Sequence, residues 1–287
     1  MNQIVYINGN LVPLSQTVIS PLDYGFLYGY GLFETMRAYG GFVFRLDKHL
    51  NRLSGSGGRL GIPAITAGLK EAVTATLQAN KLSDARIRIT VSIGEGGIAP
   101  DTRQCQKPTV LVMAEHYEPP PERVYRTGFK AIVSSLVRYS RSPLSIIKSA
   151  NYLENMLAKQ EAAAAGADEA IRLNEKGFLA EASMSNVFLI ADGKLMTPPL
   201  ESGILPGITR EAVIELASRL GISTIERDIP IEELFRAQEA FLTNSLIEVM
   251  PLTEIDGKPV ASGKPGLITE RLRTAYRNLV LDETGAV

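Results

Sequence analysis

The chain has no tryptophan, one cysteine and two histidines among its 287 residues. A lone Cys105 excludes an internal disulfide and a cysteine-built metal cluster. His49 and His116 are too few to build a histidine metal site, so no metal is expected. No charge sign dominates: the formal net charge is −1 and no basic block occurs, which removes the electrostatic footprint of a nucleic-acid binder. No run approaches the roughly eighteen apolar residues of a membrane span. The N-terminal "MNQIVYINGN" lacks a charged segment followed by an apolar one. Signature loops are missing too. There is no GxxxxGK[ST], no GxSxG and no HExxH, and "GSGGRLG" has the wrong spacing for a dinucleotide fingerprint. What remains is an ordinary globular balance, 45% hydrophobic and 21% charged, long enough for two domains. The expectation is a cytoplasmic enzyme acting on small molecules, with no nucleic acid and no membrane as partner.

The local patterns read as α+β. "QIVYINGNLVPL" is a hairpin, because Asn8-Gly9 supplies the positive φ that tight turns need. "GLFETMRAYGGFVFRL" repeats the pattern around Gly40-Gly41. "DKHLNRLSGSGGRLGIP" has helical spacing, but Gly55, Gly57 and Gly58 each weaken a helix by about 1 kcal/mol, which predicts a frayed or broken helix. "AGLKEAVTATLQANKL" is a cleaner amphipathic helix. "ARIRITVSI" alternates strictly, with Ile87, Ile89, Val91 and Ile93 on one face and Arg86, Arg88, Thr90 and Ser92 on the other. The three prolines of "EPPPER" favour extended backbone and exclude helix or central strand. They set the expected division: residues 1–117 a small domain, 118–124 a linker, 125–287 a larger domain. In the second half, strands ("KAIVSSLV", "EAIRLN", "NVFLIADGKLMTP", "EAFLTNS") alternate with helices near 150–165, 209–220 and 265–280.

Three features bear on chemistry. Lys148, in "SIIKSANYLENMLAKQEA", stands between a strand-like and a helical segment. It is either a solvated charge or an amine in a crevice, where desolvation makes it a usable nucleophile. "LPGITREAVIELASRLG" opens a helix after Pro206-Gly207, with Thr209 as N-cap candidate. It is either a plain capped helix or a cradle whose free N–H groups receive phosphate. Glu181, in "FLAEASMSNVFLI", is read as lying in a small-residue turn between two strands. It either faces water or pairs with a cation. An amine, an acid and a phosphate cradle are together the parts that hold pyridoxal phosphate (PLP).

The segments "VYINGN", "YGYGLFETMR", "FRLDKHLNRL", "KSANYLENMLAKQEA", "AEASMSNVF", "TPPLESGILPGITR" and "TNSLIEVMPLTEIDGK", in this order, cover nearly the whole chain. It resembles the class IV, or fold type IV, PLP enzymes. These include branched-chain and D-amino-acid aminotransferases, R-selective amine transaminases and 4-amino-4-deoxychorismate lyases. The resemblance implies two mixed α/β domains and a homodimer. It also implies roles. Lys148 resembles the lysine that binds PLP covalently and shuttles the proton. Glu181 resembles the acid that keeps the pyridine nitrogen protonated. Arg45 resembles the arginine that grips the phosphate, with Ile208, Thr209 and Ser245 as further phosphate contacts. Tyr152 resembles the tyrosine near the cofactor O3′. Tyr28, Phe33 and Thr35 match the strand lining the substrate pocket. Arg88 matches an arginine of the polar strand face, joined here by Arg86. Leu246 and Ile247 match a turn whose N–H groups meet a substrate carboxylate.

Departures from the family pattern bear on substrate. Branched-chain enzymes usually read "FEG" where this chain reads "FET", so Thr35 narrows that pocket. They often carry a tyrosine at the position of Arg86. "EA" replaces a common "EG" after the acid, and Met184 stands where glycine is frequent. The resemblance implies an aminotransferase working between an amino donor and a 2-oxo acid. The alternative is a lyase that converts 4-amino-4-deoxychorismate to 4-aminobenzoate and pyruvate.

Overall fold

The computed structural model describes residues 3–63 and 67–285. The fold is α+β and divides into two compact units, but not by a single cut. The first unit holds residues 1–118, 147–151 and 280–287; the second holds 119–146 and 152–279.

In the first unit the elements run β1 (Ile4–Ile7), β2 (Asn10–Pro13), α1 (Tyr24–Tyr28), β3 (Gly31–Tyr39), β4 (Phe42–Val43), α2 (Leu46–Arg59), α3 (Leu69–Ala79), β5 (Ala85–Ser92) and β6 (Thr109–His116). The strands form one six-stranded sheet, ordered β2-β1-β6-β5-β3-β4, with every pair antiparallel. Both expected hairpins form, with Asn8 and Gly9, and then Gly40 and Gly41, at positive φ, the geometry that matches strand twist. On β5 the isoleucines and Val91 are buried, and the opposite face carries Arg86, Arg88 and Thr90. Helices α2 and α3 pack on this sheet.

The expected break in α2 does not occur: the helix runs unbroken through Gly55, Gly57 and Gly58 to Arg59. Tertiary contacts override the weak propensity. Leu50 and Leu53 are buried, His49 and Arg52 bond a strand residue, and the Tyr30 hydroxyl donates to the Leu60 carbonyl just past the helix end.

In the second unit the order is α4 (Glu122–Thr127), β7 (Phe129–Val133), α5 (Leu153–Ala164), β8 (Glu169–Leu173), β9 (Leu179–Ala182), β10 (Asn186–Ala191), β11 (Lys194–Thr197), α6 (Ile208–Arg219), β12 (Thr224–Glu226), α7 (Ile231–Phe235), β13 (Glu239–Asn244), β14 (Glu248–Ile255), β15 (Lys258–Pro259) and α8 (Leu267–Thr284), whose last turn belongs to the first unit. A nine-stranded mixed sheet follows the path β12-β11-β10-β13-β14-β7-β8-β9, with β15 paired to β14. Its core includes Val187, Leu189, Leu242, Met250 and Leu252, and the Phe188 and Phe241 rings stack across β10 and β13. Helix α4 begins inside the stretch expected to be extended, because Pro121 serves as its N-cap residue. A proline at a helix start lacks only an N–H that would go unpaired anyway.

Candidate active site

The first unit carries the amine. Residues 147–151 lie along the start of β3. The Phe33 N–H donates to the Lys148 carbonyl at 2.9 Å, and the Ala150 N–H donates to the Gly31 carbonyl at 2.8 Å. Leu32 and Ser149 pair as an antiparallel bridge. Gly31 is required here, since a Cβ on it would come within 2.7 Å of the Val91 carbonyl oxygen and 3.5 Å of the Ala150 methyl. The Asn151 amide donates to the Gly29 carbonyl and holds the end of the segment.

Lys148 is half-buried, and its Nζ lies 4.5 Å from the centroid of the buried Phe33 ring. The Arg88 guanidinium lies 3.9 Å from the same centroid, and its Nε donates to the Thr90 hydroxyl. Thr35 stands directly opposite Arg88 in the β3–β5 register. Lys148, Phe33, Thr35 and Arg88 are thus brought together on one sheet face.

Arg86 stands on the same face of β5 but makes a separate contact. It is half-exposed and paired with Glu115, its cross-strand neighbour on β6. A salt bridge in water satisfies the guanidinium where it stands. Tyr28 ends α1, edge-on to Tyr24, with its hydroxyl on the Ile98 carbonyl. Arg45 immediately precedes α2 in the left-handed region, φ 51°. Its side chain is 6% exposed, and Nη2 lies 3.2 Å from the Glu283 carboxylate.

The second unit carries the acid. Glu181 lies within strand β9, buried, and not in the turn where the sequence placed it; the turn is Ser183–Ser185, which begins two residues later. One oxygen of Glu181 accepts the Leu205 N–H at 2.8 Å, and the other lies 3.1 Å from the Arg138 guanidinium. Arg138 is fixed in turn by the carbonyls of Gly203 and Ser145. Leu205 leads into α6, whose N-cap, Gly207, has no side chain to satisfy the first-turn N–H groups. The helix start is tight: a Cβ on Gly207 would sit 2.0 Å from the Asn186 Oδ1, and Asn186 donates to the Leu205 carbonyl. Ile208 and Thr209 lie in this first turn, both buried.

The turn after Glu181 is held from three sides. Glu169 accepts from the Ser183 and Ser185 hydroxyls and from the Met184 N–H. The Asn155 amide donates to the Ser183 carbonyl. The Asn244 amide donates to the Met184 carbonyl and to the Ser185 hydroxyl. Tyr152 brings its hydroxyl to 3.3 Å from the Ser183 carbonyl and from the Met184 sulfur. Asn244 also accepts the N–H groups of Leu246 and Ile247, each at 2.9 Å. These are the two amides that the family resemblance assigns to a substrate carboxylate, and the side chain that accepts them lies two or three residues upstream. Ser245 stands half-buried in the same turn.

Several of these residues escaped the sequence reading. Arg138 is separated from Glu181 by a helix and a strand, and nothing in "SSLVRYSRSP" marks it. Asn244 lies inside a quoted segment, and a turn asparagine that bonds its own backbone was a usable signal.

The parts fit PLP. The first unit offers an aromatic-backed amine, and the second a buried carboxylate, a phenol and an uncapped helix start, which are the kinds of groups that hold this cofactor.

The pattern of a family described as amino-transferase class IV matches residues 31–255. The chain is 39% identical over 278 residues to a putative branched-chain-amino-acid aminotransferase of Methanocaldococcus jannaschii, covering 96% of each chain. It is 35% identical over 277 residues to an aminodeoxychorismate lyase of Bacillus subtilis (strain 168), covering 95% of this chain and 93% of that one. A T.th. branched-chain amino acid aminotransferase, solved with pyridoxamine 5′-phosphate, superposes with a TM-score of 0.93 at 32% identity, over 100% of this chain and 96% of that one.

Proposed function

Because the chain belongs to the PLP-dependent class IV aminotransferases, we propose that it moves an amino group between an amino acid or amine and a 2-oxo acid in a ping-pong cycle. The observation that carries this is the amine of Lys148, half-buried on the Phe33 ring and fixed by strand pairing from Lys148 to Ala150. PLP, when bound, would supply an electron sink for deprotonation at the substrate Cα. Lys148 Nζ would hold the cofactor at rest and, once an incoming amine displaces it, would be free to accept the proton from the substrate Cα. Glu181, clamped by Arg138 and Leu205, holds the proton on the pyridine nitrogen. Tyr152 donates to the ring oxygen. Arg45, the N–H groups of Ile208 and Thr209, and Ser245 bind the phosphate. Phe33 and Thr35 shape the substrate pocket with Tyr28, and Arg88 receives a substrate carboxylate. The active form is a cytoplasmic homodimer.

A second reading is supported by Thr35, which puts a hydroxyl on the sheet face of Phe33 and Arg88, and by the lyase relative. In it the same lysine serves a 4-amino-4-deoxychorismate lyase that releases 4-aminobenzoate and pyruvate. Mixing the PLP-loaded enzyme separately with L-leucine, D-alanine, an R-amine and 4-amino-4-deoxychorismate separates the two. Pyridoxamine phosphate formed with an amino donor establishes the aminotransferase and the hand of its donor. Release of 4-aminobenzoate with indifference to the amines establishes the lyase. Full turnover by Lys148→Ala would sink both.

A further inference from the structure

Phe33 and Thr35 share one face of β3, and Glu34 between them points to the other, where α2 packs. Its side chain is 1% exposed. Arg52 grips it as a fork, Nε to Oε1 at 2.8 Å and Nη2 to Oε2 at 2.6 Å. His49 Nδ1 lies 2.7 Å from Oε2. His49 and Arg52 are three residues apart on α2 and so share one face of that helix. Burial alone would raise the Glu34 pKa, but the Arg52 charge and the hydrogen bonds from His49 and Arg52 outweigh it and hold it at about 2. Burial depresses the pKa of His49, and the nearby charges of Arg52 and Lys148 add to this, against the pull of Glu34. The cluster is therefore a carboxylate, a guanidinium and a neutral imidazole that donates from Nδ1.

The two elements it joins bear on the cofactor. Strand β3 holds Lys148 through the Phe33 amide, and α2 starts at Arg45, whose carbonyl accepts the N–H groups of Lys48 and His49. A forked ion pair fixes rotation as well as distance, whereas an apolar contact lets a helix slide over a strand.

We propose that Glu34, Arg52 and His49 form a positioning cluster that sets the separation of Lys148 and Arg45, so that the aldehyde and phosphate ends of one PLP are held together. This rests on the assignment of Lys148 and Arg45 to PLP. Two grips on one ligand reinforce each other only when their spacing matches the ligand. Disturbing the cluster therefore weakens PLP and spares pyridoxal, which has no phosphate.

The experiment titrates the full-length apoprotein with PLP and with pyridoxal, reading dissociation constants by absorbance. The variants are Glu34→Gln, Arg52→Lys, His49→Leu and His49→Asn. Arg52→Lys keeps the charge and loses the fork. In His49→Asn the amide nitrogen stands in for Nδ1. Glu34→Gln and Arg52→Lys are expected to raise the PLP constant by about tenfold or more, the scale of a hydrogen bond to a charge, with pyridoxal changed less than about twofold. His49→Leu shows a smaller rise, and His49→Asn restores the wild-type value. In the Arg52→Lys background, Arg45→Ala should weaken PLP further by far less than it does in wild type, the signature of coupled residues. Equal weakening of both ligands overturns the proposal, as does no change in folded variants or loss of folding in all of them. Borohydride reduction of wild-type protein with PLP, followed by mass mapping, is the separate control. No adduct on Lys148 defeats the underlying assignment, while an adduct with unaltered variants defeats the cluster alone.

Discussion

Each unit buries a carboxylate against an arginine, and the two sites use it differently. Glu34 in the first unit takes three hydrogen bonds from two side chains of one helix. Glu181 in the second takes one backbone N–H and one guanidinium contact. A carboxylate has about four lone-pair positions, so Glu34 is nearly saturated and Glu181 keeps room for another donor. Saturation suits a structural joint. Spare capacity suits a group that must receive a ring N–H. Charge and burial are common to both, and the count of partners separates their uses.

The sharpest way to break this contrast is Glu34→Ala. It strands the Arg52 guanidinium in the interior and should lower stability by roughly 3–5 kcal/mol, as removal of one partner of a buried pair does. Urea unfolding checks it, and a loss under about 1 kcal/mol would make the cluster ornamental.

Acid sharpens the same point. The folded pKa of Glu34, about 2, lies below the ordinary 4.5. Its contribution is thus complete above about pH 4.5 and lost as the pH falls toward 2, on the order of 3 kcal/mol in all. Urea midpoints for wild type and Glu34→Gln should converge over that window, and parallel curves would contradict it.

Glu181→Gln tests the other side. Turnover should fall about a hundredfold or more, in the range of an acid–base group, while the urea midpoint moves little. A fall in stability with turnover intact would reverse the roles given to the two carboxylates. The smallest effect belongs to Arg86→Ala. An exposed pair with Glu115 contributes about 0–1 kcal/mol, and rates with every donor should stay within about twofold of wild type. Arg88→Ala, by contrast, should lower kcat/KM for dicarboxylic donors selectively.

Much of this was legible in the sequence where the determinants are local. Asn8-Gly9 and Gly40-Gly41 specify their hairpins, β5 shows its two faces by alternation, α3 follows from its amphipathic spacing, and α6 from the Pro206-Gly207 turn before it. What escaped depends on distant partners. The continuity of α2 comes from Glu34 and Tyr30, which lie outside the helix. The place of Lys148 comes from pairing with a strand more than a hundred residues earlier. Glu34 itself sits in an almost fully buried strand, where simple alternation gives no hint that a charge is matched. The amides of Leu246 and Ile247 were named from the family resemblance alone, and the Asn244 side chain that accepts both shows only in the folded turn.

The excursion of residues 147–151 into the first unit has a consequence for inheritance and engineering. A gene cut after Glu118 would leave the upstream fragment without the Lys148 segment and without residues 280–287. Neither half can then be swapped as a cassette between relatives, and recombination is tolerated only when strand β3 and the lysine segment travel together. Donor preference in such chimaeras should follow that paired set, since the face of Phe33 and Thr35 and the Lys148 segment are one inseparable cartridge.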